Sequence, residues 1–140
     1  MKSKSILILL FVVLLSISLV GCSSSKTVTG TEKDTVLAFS EAKTDTLLSG
    51  MNDKDYAAFS QDFDAEMLAA MPQAQFDSLK KDRDSKLGLY ISREVSSVVL
   101  VGEFYAVNYI AKFEKDDNVG VRVTFRVAEP NQVSGLWFNK

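Results

Sequence analysis

Histidine is absent from the sequence, and cysteine occurs only once. Without histidine the chain has no Ser-His-Asp triad, no Cys-His pair and no imidazole ligand for a metal. A single cysteine excludes an intramolecular disulfide, a CxxC redox pair and a thiolate zinc cluster. The formal net charge is −2, so no basic field favours a nucleic-acid partner. We therefore expect no cofactor, no metal site and no catalytic residue.

The N-terminus carries a targeting pattern. Lys2 and Lys4 precede an apolar run of 15 residues, Ile6 to Val20. A helix of that length is about 22 Å long, which is short of the roughly 30 Å hydrocarbon core of a bilayer. The run therefore fits the apolar region of a signal peptide better than a spanning helix.

The run ends in Leu19-Val20-Gly21-Cys22, which resembles the lipobox of bacterial lipoproteins. The resemblance implies that residues 1–21 are a lipoprotein signal peptide and that Cys22 becomes a diacylglyceryl-modified N-terminus. It also implies a membrane partner, with the protein on the extracytoplasmic side of a cell membrane or outer membrane. The alternative is an uncleaved anchor in which the cysteine stands by chance.

Residues 22–31 are rich in Ser, Thr and Gly and carry few apolar side chains. This composition predicts a flexible tether, with an additional strand as the less favoured alternative. Residues 32–140 then form a single domain, which is long enough to bury one core.

Helical spacing dominates the first half of this domain. A first helix is predicted from Glu32 to Ser49, with Gly50 as its stop signal. Asn52 or Asp53 is expected to cap a short second helix, and Pro72 to open a third that Gly88 ends. Between the second and third helices, Asp62 and Asp64 offer another cap before Ala65 to Met71.

The second half alternates with a period of two. In Phe104 to Glu114 and Val119 to Val127, apolar residues take every second position. Turns are predicted at Gly102, at Asp116-Asp117-Asn118 and at Glu129-Pro130-Asn131. The predicted fold class is α+β, with three N-terminal helices packed on a curved, four-stranded antiparallel sheet in a cone-like arrangement.

Short motifs add a resemblance to a family. They are Asp55-Tyr56, Phe59-Ser60, Asp62-Phe63, Gln75-Phe76, Gly88 and Val133-Ser134-Gly135-Leu136. With the helix-then-sheet order, they resemble a prokaryotic family of small extracytoplasmic domains within the nuclear-transport-factor-2-like, or cystatin-like cone, superfamily. Family members have no assigned function, and some precede an α/β-hydrolase domain.

The resemblance implies a pocket between sheet and helices. Its candidate lining residues are Tyr56, Tyr105, Tyr109, Phe113, Phe125 and Trp137. Alternatively these aromatic side chains fill the core. A buried tyrosine hydroxyl needs a hydrogen-bond partner. We therefore expect the hydroxyl of at least one of Tyr56, Tyr105 and Tyr109 to reach a cavity or its mouth.

Charged residues suggest little chemistry. Asp53, Asp55, Asp62, Asp64 and Glu66 form an acidic cluster, which fits helix caps and a solvated surface better than a Ca²⁺ loop. The leading functional hypothesis is a lipid-anchored, non-catalytic domain that binds a small ligand or an envelope protein partner. The alternatives are an accessory module of an envelope hydrolase and a pocket enzyme that uses Asp or Tyr.

Overall fold

The computed structural model of the protein describes residues 24–140 as an α+β domain. Four helices occur in this range: α1 (Gly30–Asn52), α2 (Tyr56–Ser60), α3 (Ala65–Ala70) and α4 (Gln73–Lys86). Five strands form one antiparallel sheet in chain order: β1 (Ser25–Thr27), β2 (Tyr90–Val101), β3 (Phe104–Phe113), β4 (Asp116–Arg126) and β5 (Val133–Asn139). The predicted class is confirmed, and the numbers of helices and strands are each one higher than predicted.

One face of the sheet packs against the helices, and we call it the inner face. On β3 and β4 the inner residues are the predicted alternating set, and Val107 pairs directly with Val123. Both side chains are fully buried. The intervening residues, such as Asn108 and Arg122, lie on the opposite, outer face. Alternation therefore predicted which face of the two long strands forms the core.

Strand β1 corrects the prediction of a flexible tether and of a four-stranded sheet. Ser25 pairs with Val101 and Thr27 with Val99. The next residue, Val28, donates its backbone N–H to Val98 O at 2.8 Å and is only 1% exposed. A polar segment joins the sheet here because the long edge of β2 offers unpaired backbone groups, which need no apolar pattern in the added strand.

The contribution of this segment is testable at Val28. Val28→Ala is expected to lower the free energy of unfolding by about 2 kcal/mol, because it removes two buried methyl groups. The control is Val127→Ala, since Val127 is 38% exposed and follows the end of β4. Chemical denaturation of both variants gives the comparison. Equal, small losses would show that residues 24–29 contribute nothing to the core.

Helix boundaries differ from prediction in the first half of the domain. Gly50 does not end α1 but lies buried inside it, where a Cβ would stand 3.0 Å from Phe59 Cα. Glycine at position 50 therefore lets the backbone of α2 approach α1 closely. The cap of α2 is Asp55, rather than Asn52 or Asp53, and Asp64 caps α3 through the Met67 N–H at 2.8 Å. Because each short helix has its own aspartate cap, the structure contains four helices in place of three.

The turn between β3 and β4 also lies earlier than predicted. It consists of Glu114 and Lys115, and Asp116 already pairs with Phe113. The Lys115 N–H bonds to Leu87 O at 2.9 Å, and its side-chain amine bonds to carbonyls in the last turn of α4. Contacts with the end of α4 therefore fix the turn, and they are invisible in the local sequence.

Candidate ligand and partner sites

Three of the six predicted pocket residues lie in the solid core. Tyr109, Phe113 and Phe125 are at most 1% exposed. The ring of Phe39 on α1 packs edge-on against Phe125, with centroids 5.7 Å apart. Phe113 makes a similar contact with Phe138 at 6.0 Å. Helix α1 and the inner face of the sheet thus enclose these rings by direct aromatic packing.

The hydroxyl of Tyr109 belongs to a polar network between α1 and the sheet. It donates to Glu41 Oε1 at 2.8 Å and lies 3.2 Å from Thr44 Oγ1. The Arg93 guanidinium stacks over the tyrosine ring at 5.0 Å and pairs with Glu41 and Asp45. Burial raises the pKa of Tyr109 above its ordinary value, and the bond to Glu41 acts in the same direction. The phenol therefore stays protonated and holds α1 on the sheet.

Protein acceptors also satisfy the other two tyrosines. Tyr56 donates its hydroxyl to Met71 O at 2.8 Å. Tyr105 lies at the rim, with its hydroxyl 3.5 Å from Glu32 Oε1, and it lines a shallow surface cavity of about 390 Å³. Tyr105 therefore lies at the mouth of a surface cavity, as expected for at least one of the three tyrosines.

Trp137 lies on the outer face of the sheet, away from the other five aromatic residues. It pairs with Arg122 on β4, and half of its side chain is exposed. The six-membered part of its indole lies over Gly135, where a Cβ would overlap the ring. Glycine at position 135 therefore allows the indole to rest against the sheet backbone.

Beside Trp137 a cavity of about 290 Å³ crosses the outer face, and we call it the outer trough. Its lining residues come from α3 and four strands: Glu66, Val101, Phe104, Ala106, Arg122, Thr124, Ser134 and Trp137. Ala106 pairs with Thr124, so small side chains form its floor. The cross-strand pairs on either side of this floor have larger side chains, which include Phe104 on one side and Arg122 on the other.

A second depression lies between α4 and β5 on the helix side. It has a volume of about 360 Å³ and combines apolar walls with exposed lysines. Its charged residues are already paired: Lys86 bonds to Asp82, Arg83 pairs with Asp84, and Lys140 pairs with Asp116 at 3.2 Å. These ion pairs reduce the charge that the depression offers to a partner.

Asp64 has the most highly connected carboxylate of the acidic cluster. One oxygen caps α3, and the other accepts bonds from Ser134 Oγ and from Arg126 Nε at 2.7 Å. Burial would raise the pKa of Asp64, but these bonds and the Arg126 charge outweigh it and hold the pKa below its usual range. Asp64 therefore links α3 to β4 and β5 as an anion at neutral pH.

The role of this charge predicts a pH dependence. Asp64→Asn keeps a capping side chain but is expected to cost about 2 kcal/mol of unfolding free energy at pH 7. Because the folded-state pKa is lowered, the stabilisation is complete above the unfolded pKa of about 3.9 and is lost as pH falls through the folded value. Denaturation curves of variant and wild type should therefore begin to converge below about pH 4 and meet only below the folded pKa.

The matched control is Asp55→Asn, which changes the exposed cap of α2. Its unfolding free energy should stay within about 0.5 kcal/mol of the wild type at pH 7 and at pH 3. A loss for Asp64→Asn that is the same at pH 7 and pH 3 would contradict the assigned role of the charge.

Two predictions of the sequence concern membranes and metals. Cys22 and the segment before it lie outside the described residues. Among residues 24–140, no helix combines the length and the apolar character that a membrane span requires. Within that same range, no three His, Cys, Asp or Glu side chains are grouped closely enough to hold a metal ion.

Comparison with known proteins identifies a family whose function is unknown. A family model described as a protein of unknown function, DUF3887, matches residues 44–136, about two thirds of the chain. The chain belongs to this family. No curated protein and no solved structure matches it. The DUF3887 match runs from within α1 into β5, and Trp137 lies one residue beyond its end.

Proposed function

We propose that this DUF3887 protein is a non-catalytic binding domain, anchored by a lipid on Cys22 outside the cytoplasm, that binds through the outer trough. One observation carries the choice of surface. The aromatic rings on the inner face fill the core, whereas Trp137 is half exposed on the outer face beside the trough. Exposed aromatic groups next to a mixed apolar and polar depression are typical of binding surfaces.

The sequence around Cys22 supports the anchor. Leu19-Val20-Gly21-Cys22 follows an apolar run that is too short to span a bilayer. Strand β1 begins at Ser25, three positions after Cys22, and three residues reach at most about 10 Å. We therefore propose that the β1 edge is the membrane-proximal edge. Strand β5 is then the far edge, about 19 Å away across the sheet.

The geometry of two buried titratable groups supports a non-catalytic role. Tyr109 is protonated and buried, and Asp64 is held between Arg126 and Ser134. A general base needs an accessible carboxylate or phenolate beside the substrate, and these two groups are bonded to protein partners. The order of helices and strands also supports our proposal that the family belongs to the nuclear-transport-factor-2-like superfamily.

The anchor is tested by labelling with a radioactive fatty acid. The wild type is expected to incorporate the label and to partition into detergent, whereas Cys22→Ser should accumulate as an unlabelled precursor. Label retained in Cys22→Ser would overturn the lipid anchor.

The binding surface is tested by co-sedimentation of the full-length protein, in detergent, with purified cell-wall fractions of the host bacterium. Trp137→Ala is expected to lose binding. Ile110→Ala serves as the control, because Ile110 is a similarly exposed apolar residue outside the trough. Equal binding by both variants would contradict the proposed surface.

A further inference from the structure

We infer that the outer trough binds an uncharged, pyranose-based saccharide, with Trp137 as its stacking surface. The inference rests on the proposed function, because it names the ligand class for the same surface. It depends on three properties of the trough: its shape, its aromatic wall and its charge.

The sheet register gives the trough its shape. Across β3 and β4 the floor is the pair Ala106 and Thr124, and Gly135 continues the same row on β5. The neighbouring rows begin at Phe104 and Asn108 on β3. These two residues are four positions apart, so the rows stand about 13 Å apart. A depression of this width, with a volume of about 290 Å³, accommodates one or two sugar rings.

Trp137 supplies a fixed aromatic surface. The absence of a side chain at Gly135 lets the indole rest on the backbone, while half of the side chain stays open to solvent. A pyranose has one apolar face made of C–H groups, which packs well on an indole by dispersion. Because the ring is already seated on Gly135, little side-chain entropy is lost when a sugar stacks on it.

The polar residues of the trough match the hydroxyl rim of a sugar. Arg122 donates its Nε–H to Asn108 Oδ1 at 2.7 Å, and this bond orients the exposed guanidinium. Glu66 reaches the trough from α3, with its side chain 85% exposed. A guanidinium offers several donors and a carboxylate offers acceptors, and sugar hydroxyls require both.

The charge balance favours a neutral ligand. Arg122 and Arg126 contribute two positive charges near the trough. Asp64 and Glu66, which pair with Arg126 at 2.7 Å and 3.4 Å, contribute two negative charges. A strongly anionic or cationic ligand would meet a like charge at one end of the trough. An uncharged saccharide gains hydrogen bonds from groups of both signs without this repulsion.

The test uses the fact that Trp137 is the only tryptophan of the whole chain. Full-length protein in a sugar-free zwitterionic detergent is titrated with β-1,4-linked N-acetylglucosamine, glucose and α-1,4-linked glucose oligosaccharides. At least one series is expected to give a saturable shift in tryptophan fluorescence. Isothermal titration calorimetry then measures the same affinity without relying on the indole.

Variants separate stacking from general effects. By calorimetry, Trp137→Ala should weaken binding at least about tenfold, which corresponds to the loss of one aromatic stacking contact. Gly135→Ala should weaken binding with the tryptophan retained, because its Cβ displaces the indole. Ile110→Ala, outside the trough, should leave the affinity unchanged. Circular dichroism confirms that each variant is folded.

The outcomes distinguish the two proposals. If no saccharide series gives a saturable signal while binding to cell-wall fractions still requires Trp137, the saccharide inference is overturned and the proposed surface stands. If binding to cell-wall fractions does not require Trp137, both are overturned. Saccharide binding that is equal in wild type and Trp137→Ala places the ligand elsewhere and also overturns the inference.

Discussion

Replacement of Val123 by aspartate is expected to lower the free energy of unfolding by about 4 kcal/mol or more. Val123 has no exposed surface and lies between Val107 on β3 and Leu136 on β5. A carboxylate at this position would be buried in the core. Its two cross-strand neighbours, Val107 and Leu136, are apolar and offer no positive charge. The variant therefore either ionises at a large desolvation cost or takes up a proton and keeps an unsatisfied polar group.

Thermal and urea denaturation measure this loss against Arg122→Ala, the adjacent residue on the same strand. Arg122 is exposed on the outer face, so its truncation should shift stability by only about 0.5 kcal/mol. Comparable losses at both positions would mean that the outer face is covered as fully as the inner one, and the trough would not be open to a ligand.

This contrast reflects how much of the fold the sequence determines locally. A strand with one buried face shows alternation, and β3 and β4 therefore could be assigned with their faces. Strand β1 shows no such pattern, because its three residues are exposed and its place depends on the unpaired edge of β2. Pairing that depends on a distant backbone leaves no periodic signal in the segment itself.

A bulge explains why simple alternation predicts the wrong face for Trp137. Thr124 pairs with Gly135, but Phe125 pairs with Val133, so Ser134 is an additional residue in β5. Plain alternation from buried Val133 would point Trp137 inward. The additional residue reverses the alternation, and Trp137 lies on the outer face while Leu136 and Phe138 pack against the core. The clue in the sequence is the small pair Ser134-Gly135 inside an apolar strand, because such pairs mark bulges.

Asn52 shows the same limit for polar residues. The sequence suggests a helix cap, but the side-chain amide of Asn52 bonds to both backbone groups of Tyr90 on β2. Its Nδ2 donates to Tyr90 O at 2.8 Å, and its Oδ1 accepts from Tyr90 N at 3.0 Å. The same oxygen accepts from Arg83 Nη1 at 2.9 Å. One amide thus joins the end of α1, the start of β2 and α4, and this arrangement depends on three distant segments meeting.

Loss of this amide defines the second large effect. Asn52→Ala leaves both backbone groups of Tyr90 without their side-chain partner and removes an acceptor from Arg83, which is only 2% exposed. Because unsatisfied buried polar groups cost about 1–3 kcal/mol each, we expect a loss of about 3 kcal/mol in the free energy of unfolding. Asn52→Asp should lose less, since a carboxylate still accepts from Tyr90 N and Arg83 and lacks only the donor to Tyr90 O.

Asn139→Ala, at an exposed position on β5, is the control and should change stability by no more than about 0.5 kcal/mol. Urea denaturation that ranks Asn52→Ala with Asn139→Ala would show that water replaces the amide at all three of its bonds, and α1 would then be held on the sheet by its apolar side chains and the Tyr109 network alone.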